Sequence, residues 1–489
     1  MGDDKTGAVD MGAAYSDIDS IIAAIRSGPQ GPGVAAVFEL GGVVVDGFAA
    51  PPARRRPFGR RDRDEQVAGL LLDGIRAHPD DRAYGRFLHS ATTVLAGRTE
   101  ADIAEIGTRL FKHTVYGRIH PEAWRLIRTH RAAGHTVVLV SSATRYVLAP
   151  VAAALGIEHM LYTRMAADAG VLTGYPEGPT LWRSGKADAV REFAAASGID
   201  LDASYAYAAS AVDLATLSAV RFPVAVNPDS ELAVTCAEQD WPASTFRPRQ
   251  PARAADIGRT VAGFAGLIAG AIIGVLSKSY TRARRPMADA LMKFGTGATL
   301  RATGVRLRVT GAHNARAPRP AVFVFNHQSQ YDVIIVPAVL GGGVTGIGKK
   351  ELTKNPVFGP LMRFVGVTFI DRADTARAKA SLEPVVRTLR EGLSIAVAPE
   401  GTRSYTPEVG PFKKGAFHIA IQAGVPVIPV VIRNAGEISW RDSMVVRPGV
   451  VEVAVLDPID VGGWDPANMH DQVERVRQLF IDTLLDWPE

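Results

Sequence analysis

One cysteine, Cys236, stands in a chain of 489 residues. It cannot form an internal disulfide or a thiolate zinc cluster, and such usage fits a reducing cytoplasm. A long apolar run is also missing. The uncharged stretch Val261–Leu276 falls short of the ~20 residues that a spanning helix needs. The opening MGDDKTGAVD is acidic and has no apolar centre, so no signal peptide is expected there. A formal charge of +5 is small for this length, and charge alone does not argue for nucleic acid. No serine lies in a nucleophile elbow, which speaks against a covalent enzyme intermediate on serine. No cluster has metal-ligand spacing either.

What is present is a globular composition, with 47% hydrophobic and 21% charged residues, in a chain long enough for two to four domains. Residues 1–30 read as a polar tail leading into a short helix, Ser16 to Arg26. Between Val34 and Val226 the β-rich runs Val34–Val37, Thr136–Val140, Tyr205–Ala208 and Val224–Val226 alternate with helical patterns. That alternation indicates a parallel sheet with crossover helices. From Asp46 to Ala133 the period is helical throughout, as in an inserted helical cap. The segment 241–256 mixes proline with arginine and reads as a linker between a domain at 31–240 and the remainder.

Residues 257–300 hold two apolar stretches, Val261–Leu276 and Met287–Leu300, separated by a turn with Arg282, Arg284 and Arg285. A hairpin dipping into one leaflet is the expected arrangement, with a true span or a soluble core helix as alternatives. This arginine cluster and that of Arg54, Arg55, Arg56, Arg60, Arg61 and Arg63 suit a solvated surface, anionic phospholipid or a cofactor phosphate. From 301 to 489 strands and helices alternate again, beginning with Val305–Val309 and Ala321–Phe325.

Directly after Ala321–Phe325 comes Asn326-His327-Gln328-Ser329-Gln330-Tyr331-Asp332. On one regular helix His327 and Asp332 would lie on different faces, so at least one belongs to the loop. A histidine at a strand's end and an aspartate in a helix's first turn can meet, and the helix dipole keeps that carboxylate charged. A carboxylate behind an imidazole sets its tautomer and makes it a general base. Ser329-Gln-Tyr-Asp332 reads equally as a capping box, which is compatible with that role.

Three later stretches, Gly366–Arg372, Ala398–Ser404 and Val425–Val430, follow in order. Together with the first they resemble the four sequence blocks of the glycerolipid acyltransferases, most nearly the 1-acylglycerol-3-phosphate acyltransferase group, from about residue 300 to the C-terminus. Lys349–Leu352, Phe412–Gly415 and the closing strand Val446–Val453 extend the likeness. It implies that His327 deprotonates the free hydroxyl of a lysophosphatidate, held by Asp332, and that the oxygen attacks an acyl thioester. Guanidinium forks match phosphate oxygens, so Arg372 and Arg403, with Lys350 assisting, are the candidate phosphate ligands; Arg372 also suits a surface ion pair with Asp371 or Asp374. Glu400, Gly401 and Thr402 fall in the third block, with Glu400 expected to orient an arginine or the acceptor.

The first domain, from about Val34 to Leu232, resembles the haloacid dehalogenase superfamily, in particular its phosphoserine-phosphatase-like branch. Where that family has D-x-D-x-T after its first strand, this chain has Glu39, Gly41 and Val43. Ser141 stands at the family's phosphoryl-binding hydroxyl, Lys186 at its lysine and Asp213 at its last acid, while Ala209 replaces a magnesium ligand. Glutamate for aspartate moves the carboxylate by about one C–C bond, ~1.5 Å, and a 1 Å misplacement can cost on the order of a hundredfold. A degenerate phosphatase site without magnesium is the expectation, with Val43, Val44 and Val45 reading as part of a buried strand.

The expected fold is thus α/β: a doubly wound parallel sheet with a helical cap, an apolar helix pair, and a C-terminal α/β acyltransferase domain. The expected activity makes phosphatidate at the cytoplasmic face of the cell membrane. Its partners would be lysophosphatidate, acyl-CoA or acyl-carrier protein and the phospholipid bilayer; no metal, further cofactor or nucleic acid is expected. Alternatives are a working phosphohydrolase in the first domain, transfer to another lysophospholipid, and a membrane-bound scaffold without catalysis.

Overall fold

A computed structural model describes residues 17–47, 60–76, 78, 80–246, 253–316, 318–349, 353, 358–370, 383–403, 408–439, 443–465 and 467–488. The chain divides into two compact units, Met1–Arg249 and Gln250–Glu489.

In the first unit, β1 (Ala35–Glu39), β2 (Thr136–Ser141) and β3 (His159–Tyr162) precede an antiparallel pair, β4 (Met165–Asp168) and β5 (Val171–Pro176). Then come β6 (Tyr205–Ala208), β7 (Phe222–Val226) and β8 (Ala243–Ser244). The main sheet has the order β3-β2-β1-β6-β7-β8, and all its neighbours run parallel. Successive crossovers move outward from β1 on one side and from β6 on the other. The order therefore reverses at β1/β6, and the crevice beyond those strand ends is where a doubly wound sheet keeps its ligands. Helices Arg60–Ile75, Asp81–Leu95, Glu100–Leu110 and Pro121–Ala132 fill the insertion between β1 and β2, as the helical period indicated. The valines after Glu39 depart from expectation. Val43, Val44 and Val45 are fully buried but lie in a turn, in which Gly41 and Val45 form a lone bridge. Burial favours branched aliphatics in a packed turn as much as in a strand, so this run of valines does not mark strand geometry. Likewise, the segment read as linker begins inside this unit: β8 pairs with β7 and Phe246 is fully buried.

In the second unit, β9 (Val305–Thr310), β10 (Val322–Phe325), β11 (Val344–Lys349), β12 (Thr368–Ile370), β13 (Ser394–Val397), β14 (Val427–Ile432) and β15 (Gly449–Val455) form one sheet. Its order is β12-β11-β13-β10-β14-β15-β9, parallel except between β14 and β15. Alternation along β10 explains its two-sided burial. Val322 and Val324 face a core with Val386, Phe417 and Phe480, whereas Phe323 faces the opposite core with Ile335 and Val453. Helices Glu383–Arg390, Gly415–Ala423 and Met469–Leu485 supply the first cover, and Asp332–Leu340 the second.

Before this sheet stands a helical hairpin, Ala254–Lys278 and Arg284–Thr303. Its first helix is longer than the uncharged run and, by length and composition, is long and apolar enough to cross a membrane. Glycines 263, 266, 270 and 274 form its inner face. A Cβ on Gly270 would lie 2.5 Å from the Phe294 carbonyl oxygen, and one on Gly274 2.5 Å from that of Ala290. The backbones meet because no side chain separates them. Outward, Ile257, Val261, Phe264, Ile268, Ile272 and Leu276 are exposed. Two of the turn arginines are engaged internally: Arg284 donates to the carbonyls of Arg363 and Phe364, and Arg285 to that of Val344 while pairing with Asp289 at 2.6 Å. Arg54, Arg55 and Arg56 of the other basic cluster lie outside the described residues.

Candidate active site

Parallel pairing assembles the second unit's site. Val324 of β10 lies opposite Val397 of β13, and His327 and Glu400 follow those residues at equal offsets, so both emerge at the same end of the sheet. The loop from β10 is pinned by Asn326, whose amide donates to the Ile432 carbonyl (2.8 Å) and whose oxygen accepts from the Ile432 N–H (2.7 Å). Ser329 Oγ donates to the Ser439 carbonyl at 2.6 Å. The loop then turns into the helix that begins at Asp332.

His327 Nδ1 lies 2.7 Å from Asp332 Oδ2. Asp332 is 1% exposed and the His327 side chain 22%, so the acid is sealed behind a ring that still reaches solvent. The same Oδ2 accepts from the main-chain N–H of Gln328 (3.1 Å) and Ser329 (3.0 Å). Oδ2 thus gathers three donors, and with Nδ1–H donating to the acid the neutral ring carries its lone pair on Nε2. The capping box is only half made. Asp332 reaches back to Ser329 N–H, but Ser329 Oγ accepts from Tyr331 N–H (3.0 Å) instead of from the helix's first turn.

Glu400 holds two main-chain donors. Its Oε1 accepts from the His327 N–H at 2.8 Å and its Oε2 from the Gly410 N–H at 3.2 Å. Burial pushes this carboxyl up to about 7, against the pull of those two donors and of His327. Gly401 has φ +77°, and a Cβ there would run into the Lys413 side chain, its nearest atom Nζ at 2.8 Å; a residue with a side chain would be strained as well as obstructed. Thr402 is exposed and Arg403 half-buried beside it. Lys350 and Arg372 lie outside the described residues. Sequence reasoning gave no role to Asn326, Gly410 or Lys413. Asn326 had a readable signal, as an amide where an apolar strand gives way to a loop, and Lys413 lies in the Phe412–Gly415 stretch that extends the likeness.

In the first unit the crevice holds a buried ion triad. Lys186 Nζ lies 2.6 Å from Glu39 Oε2 and 2.6 Å from Asp213 Oδ1, and all three side chains are buried. Burial works against the Lys186 charge, but Asp213 and Glu39 outweigh it and hold the ammonium protonated. Burial pushes the Glu39 carboxyl upward while Lys186 pulls it down. Ser141, at the end of β2, accepts from Ala143 N–H at 3.3 Å. Ala209 lies just past β6, its methyl against Gly42, and Gly41 donates its N–H to Glu39. Of the residues singled out in this unit, Glu39, Lys186 and Asp213 are therefore in direct contact, with Lys186 between the two carboxylates. Elsewhere, among the described residues, no three His, Cys, Asp or Glu side chains gather as metal ligands would.

Comparison with known proteins finds a family match in each unit. Residues 306–433 match the family model described as "Acyltransferase" and residues 48–218 that of the haloacid dehalogenase-like hydrolases. A 1-acyl-sn-glycerol-3-phosphate acyltransferase of Cocos nucifera is 34% identical over 166 residues, 34% of this chain and 54% of its own length. The 1-acyl-sn-glycerol-3-phosphate acyltransferase alpha of Homo sapiens is 36% identical over 179 residues, 36% of this chain and 63% of its own length. The chain spans between about half and two thirds of the length of these curated relatives. A solved 1-acyl-sn-glycerophosphate acyltransferase from Thermotoga maritima aligns with 27% identity and a TM-score of 0.41, covering 48% of this chain and 98% of that one. The chain thus carries an acyltransferase-family domain at its C-terminus and a haloacid dehalogenase-like domain at its N-terminus.

Proposed function

We propose that the second unit transfers an acyl chain from acyl-CoA or acyl-carrier protein to the free hydroxyl of 1-acylglycerol-3-phosphate, forming phosphatidate. The observation that carries this reading is the His327–Asp332 pair, 2.7 Å apart with the acid buried and the ring partly open. His327 Nε2 takes the hydroxyl proton as the oxygen attacks the thioester carbonyl. The tetrahedral intermediate collapses, the C–S bond breaks, and the imidazolium returns its proton to the leaving thiolate. Asp332 stabilises the imidazolium and keeps the ring's tautomer without taking the proton itself. Arg403, Arg372 and Lys350 are the proposed ligands of the acceptor's phosphate. Similarity to the acyltransferases named above supports both the reaction class and the acceptor.

The hairpin's exposed apolar stripe supports seating the enzyme on a phospholipid bilayer, where a lysophospholipid acceptor resides; the cytoplasmic face is the side proposed. Purified protein should transfer labelled acyl chains to lysophosphatidate in preference to other lysophospholipids or glycerol-3-phosphate. Transfer to a different acceptor alone would reassign the substrate.

For the first unit we infer a phosphatase framework without phosphatase chemistry. Mg²⁺ needs several hard oxygen donors. Ala209 offers none, and the two remaining carboxylates each give an oxygen to the Lys186 ammonium. The residues present do not fit that ion, and no step is assigned to it.

A further inference from the structure

We propose that Glu400 is a positioning residue for the acyl transfer assigned to His327: its carboxylate ties the main chain of His327 to that of Gly410, and so sets where the imidazole meets the acceptor hydroxyl, in place of binding substrate itself. This inference rests on the acyl-transfer reading above.

Two acids hold two different handles of the same histidine. Asp332 takes the ring through Nδ1, and Glu400 takes the backbone through N–H. The ring's position depends on both, because rotation about χ1 and χ2 is defined relative to a main chain that otherwise ends a strand and enters a loop.

The far end of the tie is itself anchored. Arg477, on helix Met469–Leu485, donates to the carbonyls of Val409 and Gly410 at 3.0–3.1 Å. Phe412 packs edge-on against Phe480 of the same helix, centroids 5.2 Å apart, and Lys413 N–H donates to the Pro399 carbonyl at 2.8 Å. A Cβ on Gly410 would lie 3.1 Å from Glu400 Oε2, so glycine permits the close approach. Among the described residues, the titratable groups acting on Glu400 include His327 and Asp332 on the β10 side, and Lys413 lies over the neighbouring Gly401. A continuous path therefore runs from the C-terminal helix through Gly410 and Glu400 to the base. Main-chain donors are present whether or not substrate is bound, which suits a fixed support.

The test uses the full chain in mixed micelles with lysophosphatidate and acyl-CoA. Glu400→Gln keeps the shape but turns an amide N–H₂ toward one of the two main-chain donors, which breaks one tie. Expected is a fall in kcat of about 10–100-fold, since small misplacements of a reacting group cost that much, with both KM values within about twofold. Peptide-resolved hydrogen exchange should show faster exchange at His327 and Gly410. Arg477→Met, which leaves Glu400 in place, should reproduce the kcat effect at roughly 3–10-fold and serves if the first variant does not fold.

A raised KM for lysophosphatidate with kcat unchanged would overturn the proposal, because Glu400 would then be an acceptor ligand. Unchanged kcat would overturn it too. If the wild-type chain transfers nothing to lysophosphatidate, the acyl-transfer reading fails by itself. Exchange then decides the tie separately, faster exchange in Glu400→Gln supporting it and unchanged exchange sinking it.

Discussion

His327 sits where a side chain can be removed at little structural cost, since its ring reaches solvent and its backbone is held by other groups. His327→Ala should therefore lower acyl transfer by about 10²–10⁴-fold, the range for losing a general base, with the unfolding midpoint of the second unit little changed. Asp332→Asn keeps the acceptor geometry but removes the charge behind the imidazole, and should cost less than His327→Ala; a normal rate would leave Asp332 only its loop-closing contacts to Gln328 and Ser329. A second histidine pair, in the first unit, makes a pH prediction. His130 Nδ1 meets His135 Nδ1 at 2.8 Å, and His130 Nε2 meets the Tyr207 hydroxyl at 2.7 Å. Burial holds both rings below their usual value, and His135 adds to the effect on His130. Their folded form resists protonation, so the stability they contribute is present above about pH 6.5, the unfolded value, and is lost progressively as pH falls from there through the depressed folded values. The first unit's unfolding midpoint should drop more steeply between about pH 7.5 and about 5.5 in the wild type than in a His130→Gln/His135→Gln variant, and equal slopes would refute this. At this scale the His327–Asp332 pair was legible, because strand, loop and helix constrain where a histidine and an aspartate five apart can meet. The partners of Glu400 were not, because a main-chain N–H carries no signature in the sequence.

Among elements, the helical hairpin separates what pattern reveals from what only packing reveals. Its apolar stretches were plain, yet the first helix extends well beyond them, to Ala254 and Lys278, since polar residues at either end continue the helix while lying against the rest of the unit. Asp256 reaches back to the Arg253 N–H at 3.1 Å, and Thr260 Oγ1 accepts from Val446 N–H at 2.9 Å. Glycine spacing marks the buried side. Gly270→Val places carbon atoms against the Phe294 carbonyl and should lower the second unit's stability by about 1–3 kcal/mol, the usual cost of overpacking; no shift in the unfolding midpoint would mean the helices part freely. Ile268 and Ile272 lie on the exposed side, so Ile268→Asp with Ile272→Asp should weaken sedimentation with phospholipid vesicles and leave the fold unchanged. Retained binding by that variant would place the lipid contact elsewhere. The short strands β4 and β5 escaped notice for a related reason, as only Leu172 among their residues is a buried hydrophobe and little alternation records them.

For the whole molecule, two units each with a core of its own imply two unfolding transitions, and each can be examined in the full chain. The first unit's resemblance to phosphatases was legible in block order, but the blocks could not show that Lys186 lies within 2.6 Å of both remaining carboxylates. That contact makes the metal prediction specific. If the ammonium is the crevice's resident cation, EDTA or added Mg²⁺ should leave the first transition where it is, and the purified chain should release no phosphate from phosphoserine. Lys186→Met would bury Glu39 and Asp213 without a counter-charge, and breaking a buried pair in this way costs about 3–5 kcal/mol. Protonation of one carboxyl is the cheapest relief, since burial already pushes Glu39 upward, so the variant should recover stability as the pH is lowered, and by more than the wild type, in which Lys186 still pulls Glu39 down. Mg²⁺ could also answer the vacated charge, so rescue of the variant by millimolar Mg²⁺ with an indifferent wild type would identify the ammonium as the group that excludes it. Mg²⁺-dependent phosphate release by the wild-type chain, abolished in Glu39→Ala, would instead show that a glutamate at the end of β1 still attacks phosphorus.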